Sequence, residues 1–253
     1  MTLSPGDTTQ FDAAAANQME KIISDLGRIY HERNEALQEV VRAHHESLFM
    51  LALAAEYKDN DTGVHIVRIG FLAEALALYL GQPKEFALQL RKAAPMHDVG
   101  KIGIPDSVLK KPGSFTPKER EIMDRHAVIG WELLGKSRIE LFQLAAEVAL
   151  THHERWDGTG YPQGLVGEEI PLSGRIVSLV DCYDALTMDR VYRTAYSHEW
   201  AIEMLRAQRG KAFDPEIVDC FLQHADTLLA LRQKVTDTRM SFAELVQAPQ
   251  PLM

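Results

Sequence analysis

A histidine followed directly by an aspartate, His97-Asp98, is the part of the sequence best suited to chemistry. The imidazole offers one neutral nitrogen to a metal, and the carboxylate offers two oxygens that can bridge two cations. The pair alone is a weak signal, because a chain of 253 residues with 10 histidines often contains such a dipeptide by chance. A capped turn or a surface histidine explains it equally well, so its meaning depends on other residues.

Two further pairs have a spacing that suits metal ligation on a helix. Asp61 and His65 are four residues apart and would share one helical face, although an aspartate at a helix start more often serves as a cap. Asp181 and Asp184 are three residues apart inside an apolar helical pattern. Aspartate is poorly favoured in mid-helix and capping cannot explain it there, so metal ligation is the interpretation that accounts for it.

Three more histidines are candidate ligands. One would point into the core from its helix, and the other two, adjacent in sequence, would point in two neighbouring directions. His126 is in line with apolar residues of its helix, a position where a lone histidine is more often a core residue than a ligand. The adjacent His152 and His153 cannot share one helical face, so they offer two neighbouring ligand directions. Lys101 lies on or just before a loop rich in glycine and proline. It could hold a phosphate beside a metal pair or be an ordinary solvated lysine.

The elements that must position these residues are predicted to be helices. Apolar residues recur at three- and four-residue steps along most of the chain, and no segment has the alternating period of a strand, so the predicted fold is all-α. Thr116, Pro117 and Glu119 predict the start of the helix that carries His126, with a capping box. The glycine-rich run that ends at Pro171 is predicted to be a long, ordered loop.

Composition limits the class of protein. The chain has 46% hydrophobic residues, a net charge of −9 and a pI of about 5.6, which favours a folded domain without a broad nucleic-acid-binding surface. Cys182 and Cys220 are too few for a disulfide framework. No secretory h-region and no run of about 18 apolar residues is present, so we expect no membrane span and a cytoplasmic location.

The chain is expected to divide into a helical arm at 1–45, a catalytic domain at 46–233 and a C-terminal tail at 234–253. Two interpretations of the arm remain open: a coiled coil that pairs two chains, or a surface helix packed on its own domain. Both require the apolar stripe that the arm shows: Met19, Ile23, Leu26, Tyr30, Leu37 and Val40.

Taken together, these motifs closely resemble the HD-GYP family, a branch of the HD metal-dependent phosphohydrolases whose known activity is hydrolysis of cyclic di-GMP. The resemblance runs from about Leu51 to Phe221. Chance assembly of all its motifs in one order is negligible. They are Asp61-Thr62-Gly63-Val64-His65, His97-Asp98-Val99-Gly100-Lys101, His126, the run from His152 to Pro162, and Asp181-Cys182-Tyr183-Asp184.

The resemblance implies an HD-domain helical bundle with two divalent metal ions, iron or manganese. One set of ligands is His65, His97, Asp98 and Asp181. The other is His126, His152 and His153, with Asp98 bridging both ions. It also implies that substrate phosphate is contacted by Lys101, Arg190 and Arg193, and that the loop Gly160-Tyr161-Pro162 shapes the pocket. Asp61 replaces a glutamate that helps to hold a third metal in several members, which leaves the choice between two and three metals open.

The implied function is metal-dependent hydrolysis of cyclic di-GMP to pGpG or onward to GMP, with Asp98 and Lys101 as catalytic residues. Three alternatives remain: a cyclic-dinucleotide receptor with little turnover, a phosphodiesterase acting on cyclic GMP-AMP, and a general HD-type nucleotidase. A complete ligand set favours catalysis over the receptor, and the Gly160-Tyr161-Pro162 loop argues against the nucleotidase. Family members often follow a sensor or receiver domain, so the arm is a candidate docking surface for such a partner.

Overall fold

The computed structural model describes residues 5–59, 63–189, 194–238, 240 and 244–245, with side chains described from residue 15 onward. About 75% of the chain is helical, and the described residues contain no strand, so the all-α prediction is confirmed. The ten α-helices of this described part are α1 (Pro5–Lys58), α2 (Val64–Tyr79), α3 (Lys84–Ala93), α4 (Asp106–Leu109), α5 (Pro117–Leu134), α6 (Glu140–Thr151), α7 (Leu172–Leu186), α8 (His198–Ala207), α9 (Pro215–Gln223) and α10 (Ala225–Asp237). Short 3-10 helices lie at Ala94–Met96, Val99–Gly103 and Gly167–Glu169.

Helix α2 is the centre of the bundle. Its residues from His65 to Ala77 are all buried, and it packs against α3, α7 and α10. A helix that is apolar on every side is buried on every side, because any exposed face would leave apolar area in water. The charged side chains on α2 are therefore held by buried partners.

The start of α5, the helix that carries His126, follows the capping rules. Thr116 caps α5: its hydroxyl accepts a hydrogen bond from the Glu119 amide, and the Glu119 carboxylate accepts one from the Thr116 amide. The capping box that the sequence predicts is therefore present, and it fixes the start of the helix that carries His126. Within the part of the chain that the structure describes, no helix is both long and apolar enough to cross a membrane.

Two compact units divide the chain, Met1–His45 and Glu46–Met253. The expected tail at 234–253 differs from the structure, because α10 continues to Asp237 and both Val235 and Leu245 are fully buried in the core. The apolar stripe of α10, in which Leu228, Leu231 and Val235 follow helical spacing, extends past the predicted boundary.

Candidate metal centre

The elements of the bundle bring seven predicted ligands to one place. They come from the start of α2, the turn between two 3-10 helices, the middle of α5, the end of α6 and the middle of α7. These ligands form two groups, and within each the ligand atoms lie within 4.8 Å of one another. The four-residue group is Asp98, His126, His152 and His153. The three-residue group is His65, His97 and Asp181.

Asp98 lies between the two groups and turns one oxygen towards each. Its Oδ1 is 3.3 Å from His126 Nε2 and 3.8 Å from His152 Nε2. Its Oδ2 is 3.3 Å from His97 Nε2 in the three-residue group. A carboxylate that divides its two oxygens in this way has the geometry needed to bridge two cations.

Close backbone packing brings Asp98 to α5. A Cβ atom added at Gly100 would collide with the backbone of His126 and Gly130, so only glycine allows this approach. The glycine that follows the His97-Asp98 pair therefore sets the distance between Asp98 and His126.

Three histidines are oriented by carbonyl oxygens of their own segments. The Nδ1 atoms of His97, His126 and His152 lie 3.0, 2.7 and 3.0 Å from the carbonyls of Ala94, Met123 and Ala149. An Nδ1–H that donates to a carbonyl leaves Nε2 unprotonated and available to a metal.

The buried atoms of the site fit bound cations. Among the described residues, the Nε2 atoms of His97, His126 and His152 and the Oδ1 of Asp98 are buried without a hydrogen-bond partner. Buried polar atoms are nearly always satisfied, so four such atoms converging on one place need an explanation. Metal coordination supplies one, because each is a lone-pair donor of the type that divalent ions bind.

His65 is oriented differently, by a carboxylate from another helix. Its Nδ1 lies 2.7 Å from Asp184 Oδ2, and its Nε2 lies 3.4 Å from Asp181 Oδ1. Asp184 is fully buried and also accepts two hydrogen bonds from Arg68, of 2.7 and 2.8 Å. Asp184 belongs to neither ligand group, so the metal ligation suggested by its mid-helix position is replaced by a role in holding His65.

The carboxylates of the site remain ionised despite their burial. Burial raises the pKa of Asp98, but the Lys101 ammonium and His97 lower it more, so the pKa lies well below its usual range. Burial likewise raises the pKa of Asp181, and the hydrogen bond from His65 and the charge of His97 bring it below its usual value. Both side chains therefore offer anionic oxygens.

The imidazoles fall into two classes. Burial lowers the pKa of His152 well below its usual value, and His153 lowers it further; burial and then His126 bring the pKa of His153 to about 4. Burial also lowers the pKa of His65 and His97, but Asp181 and Asp184 beside His65, and Asp98 beside His97, raise it above the usual value. His152 and His153 are thus neutral and could bind a cation directly, whereas a cation would displace a proton from His65 or His97.

Lys101 lies in the 3-10 helix Val99–Gly103 and is paired with two carboxylates. Its Nζ is 2.8 Å from Asp98 Oδ2 and 2.6 Å from Asp59 Oδ2. Burial lowers the pKa of Lys101, but Asp98 and Asp59 raise it above its usual value, so the side chain is a cation. Lys58, the last residue of α1, donates to the carbonyls of Ile102 and Ile104 at 2.7 and 2.6 Å and so holds this segment.

The loop from His153 to Pro171 closes one side of the site. The Tyr161 ring stacks on His153 with centroids 4.8 Å apart, and the Tyr161-Pro162 peptide bond is cis. The buried Glu154 carboxylate accepts hydrogen bonds from the amides of Gln163 and Leu165, at 2.7 and 3.1 Å. A Cβ atom at Gly160 would collide with the backbone of Glu154 and its neighbour, so the loop needs glycine there.

Three predicted site residues, Asp61, Arg190 and Arg193, lie outside the described residues, so their roles remain predictions. Other residues of the site were missed from the sequence, namely Asp59, Glu154 and Arg232. The acidic Asp59-Asn60-Asp61 run and the Glu154 of the histidine-rich motif carried a signal, whereas Arg232 carried none.

Comparison with known proteins gives a family. Residues 17–217 match the sequence model of the family described as HD domain. A cyclic di-GMP phosphodiesterase of Thermotoga maritima is 44% identical over 192 residues, which is 76% of this chain and 50% of that protein. The 3′3′-cGAMP-specific phosphodiesterase 2 of Vibrio cholerae is 42% identical over 192 residues, which is 76% of this chain and 37% of that protein. The chain thus spans half or less of the length of these relatives.

A solved structure shares the fold. The crystal structure of a V. cholerae phosphodiesterase specific for cyclic GMP-AMP superposes with a TM-score of 0.56, covering 80% of this chain and 57% of that chain. The two sequences are 18% identical in this alignment, so the likeness concerns the all-α fold alone.

Proposed function

Because the chain belongs to the HD domain family, we propose that it is a metal-dependent phosphodiesterase that hydrolyses cyclic dinucleotides. The observation that carries this proposal is the position of Asp98, which turns one oxygen to the four-residue group and the other to the three-residue group. A single anionic side chain shared by two histidine-rich groups is what a centre of two metal ions requires.

Two divalent cations bound there would neutralise phosphate charge and activate a water molecule for attack on phosphorus. His65, His97 and Asp181 would hold one ion and His126, His152 and His153 the other, with Asp98 shared between them. Iron and manganese are the proposed metals, since mixed imidazole and carboxylate ligands suit both. Asp61 is the proposed ligand if a third ion binds.

Lys101 is proposed to act as a cation near the substrate. Its ammonium is paired with Asp98 and Asp59, and its raised pKa makes it a hydrogen-bond donor rather than a general base. A donor beside the bridging carboxylate can hold a phosphate oxygen or stabilise the leaving oxygen.

Cyclic di-GMP is the proposed substrate, with pGpG or GMP as the product. The T. maritima relative that carries this activity in its name is 44% identical, whereas a 42% identical relative is named for 3′3′-cGAMP. Because the two sequence identities differ so little, cyclic GMP-AMP is the alternative substrate. Arg190 and Arg193 are the proposed phosphate contacts, and the loop Gly160-Tyr161-Pro162 is the proposed wall of the pocket.

The experiment that tests the function is a metal analysis combined with a substrate panel. Protein purified without chelator should contain about two divalent ions per chain and should hydrolyse cyclic di-GMP faster than cyclic GMP-AMP, with products separated by chromatography. Linear dinucleotides and mononucleotides serve as control substrates. Tight binding of cyclic di-GMP without turnover by the metal-loaded protein would favour the receptor, and preferred cleavage of mononucleotides would favour the nucleotidase.

We also propose that the arm pairs two chains in a parallel coiled coil. Three residues of the predicted stripe, Met19, Leu26 and Val40, lie at a positions of a heptad repeat, and Ile23, Tyr30 and Leu37 lie beside them at e positions. Ile22 and Ile29 add the d positions, and these five a and d side chains are exposed by 46% to 60% of their surface. Arg33 is a charged interruption of this seam. The g positions are acidic, namely Asp25, Glu32 and Glu39. In an antiparallel pair these g positions would face one another and repel, so the charge pattern favours parallel chains.

Oligomeric state tests the pairing. Removal of residues 1–40 should convert a dimer to a monomer in light scattering. The protein should keep its metal, because the first of the seven residues that make up the two groups is His65. The seam variant Leu26→Glu with Ile29→Glu should do the same, whereas Ser24→Glu, at an f position outside the seam, should leave the dimer intact. A full-length chain that is monomeric at micromolar concentration would contradict the coiled coil.

We further propose that a sensor or receiver partner acts on the protein through the arm. The proposed location is the cytoplasm, where the nucleotide substrate is also found. Addition of a candidate partner domain should change the rate of hydrolysis by the full chain but not by the chain without residues 1–40. Equal effects on both would place the partner elsewhere.

A further inference from the structure

Asp184 is a fully buried carboxylate whose hydrogen-bonding capacity is filled. Its Oδ1 accepts from Arg68 Nε at 2.7 Å and from Arg232 Nε at 2.8 Å. Its Oδ2 accepts from Arg68 Nη2 at 2.8 Å and lies 2.7 Å from His65 Nδ1. An ionised carboxylate has about four lone-pair sites, and all four are used here.

Arg232 is not required to neutralise Asp184. The bidentate pair with Arg68 already matches one negative charge with one positive charge, and Arg232 adds a second guanidinium that is only 13% exposed. Burying a further cation is unfavourable unless it makes specific hydrogen bonds. Its role is therefore to be found in the geometry of its contacts.

Nor is Arg232 required to attach α10 to the bundle. Leu228, Leu231 and Val235 lie on the same helix with exposures of 0%, 6% and 0%, so apolar packing anchors α10 on both sides of Arg232.

The second contact of Arg232 is at the end of α7. Its Nη2 donates to the carbonyl oxygen of Thr187 at 2.8 Å, and Thr187 is the C-cap residue of that helix. The chain continues from there through Asp189 to Arg190 and Arg193, the proposed phosphate contacts. One guanidinium thus joins the carboxylate that contacts His65 to the C-terminal end of α7.

We propose that Arg232 is a positioning residue that holds His65 in its metal-binding orientation through Asp184 and holds the C-terminal end of α7 through Thr187. This proposal concerns metal binding and does not depend on which substrate the protein cleaves. Partners of metal-binding histidines typically change metal affinity by about 10-fold to 100-fold when they are removed.

The test is a calorimetric titration in which Mn²⁺ is added to protein whose metal has been removed with a chelator. Arg232→Ala should weaken one of the two metal sites by up to about 10-fold and leave the other unchanged, because Arg232 acts on His65 through Asp184, which Arg68 still holds. Arg209→Ala is the matched control, because Arg209 forms a bidentate pair with Asp219 at 2.7 and 2.6 Å and has no side-chain hydrogen bond with the site residues that the structure describes. It should bind metal as the parent protein does.

Selective weakening of one site by Arg232→Ala, absent from Arg209→Ala, supports the positioning role. Unchanged affinity, equal weakening of both sites, or the same effect in the control overturns it. If Arg232→Ala does not fold, Arg232→Lys decides the question: it keeps the charge but lacks the planar fork, so one site should still weaken, and parental affinity would overturn the proposal.

Activity separates this inference from the proposed function. On the proposed function, in which Arg190 and Arg193 follow the end of α7 and contact phosphate, Arg232→Ala should raise KM for cyclic di-GMP by about 3-fold to 10-fold in the metal-saturated protein. A parent protein that binds two ions and cleaves no cyclic dinucleotide would refute the proposed function, while the metal titration would still decide whether Arg232 orients His65.

Discussion

His126 and His152 of the four-residue group are oriented by carbonyl oxygens three residues earlier in the chain, as is His97 of the three-residue group. His65 of the three-residue group is instead oriented by Asp184, 119 residues away. A helical turn supplies the first kind of support wherever it forms, whereas the second kind exists only when α2 and α7 are packed together. The two halves of one centre should therefore respond differently to the same kind of damage.

Asp98→Ala should have the largest effect because it removes the residue that both groups share. We expect loss of both ions and a fall in activity of more than ~100-fold, the upper range for removing a residue that only hydrogen-bonds to a metal ligand. Circular dichroism should show that the helical fold is retained. Elemental analysis measures the metal. A fully metallated and active Asp98→Ala protein would end the interpretation of one bridged centre.

Asp184→Asn should affect the three-residue group and spare the four-residue group. It leaves Arg68 and Arg232 without their buried counter-charge, so the free energy of unfolding should fall by about 3–5 kcal/mol. Denaturant unfolding measures the stability, and Mn²⁺ titration should show one weakened site. Asp219→Asn, which loses an exposed pair with Arg209, is the control and should change the free energy of unfolding by less than about 1 kcal/mol.

The double variant Arg190→Ala with Arg193→Ala should change neither group. If both side chains hold phosphate, KM should rise by about 100-fold or more, since each of the two lost hydrogen bonds between charged groups contributes about 1.5–3 kcal/mol. Metal content should equal that of the parent protein. A parallel loss of metal and activity would mean that these arginines support the centre rather than the substrate.

Tyr161→Leu should produce the smallest change, confined to the four-residue group. It removes the ring stacked on His153, a contact of about 0.5–1.5 kcal/mol, so metal affinity at one site should fall by a factor of about 2 to 10. Tyr161→Phe keeps the ring and should bind metal normally. An equal loss in both variants would assign the effect to the hydroxyl group.

The sequence predicted those features that depend on residues close to one another in the chain. The capping box at Thr116 and the helical spacing around His126 placed α5 correctly, because both signals lie within a few residues. The all-α class followed from periodicity along the whole chain. The role of Arg232 could not be predicted, because its partner Asp184 is 48 residues away, and the acidic run at Asp59 gave no sign that its partner would be Lys101, 42 residues away. Nothing in the spacing of residues reveals which helices will meet.

Asp184, which contacts both α2 and α10, also imposes an order of assembly on the centre. All members of the four-residue group lie between Asp98 and His153, so a chain emerging from the ribosome contains them well before α10. The contacts of Asp184 extend from His65 on α2 to Arg232 on α10, and contacts this distant in sequence form late because a long loop must close first. If Arg232 holds Asp184 as proposed, a chain released before α10 has docked would have the four-residue group in place and the support of His65 incomplete. Full metal loading would then report that α10 has docked on the bundle.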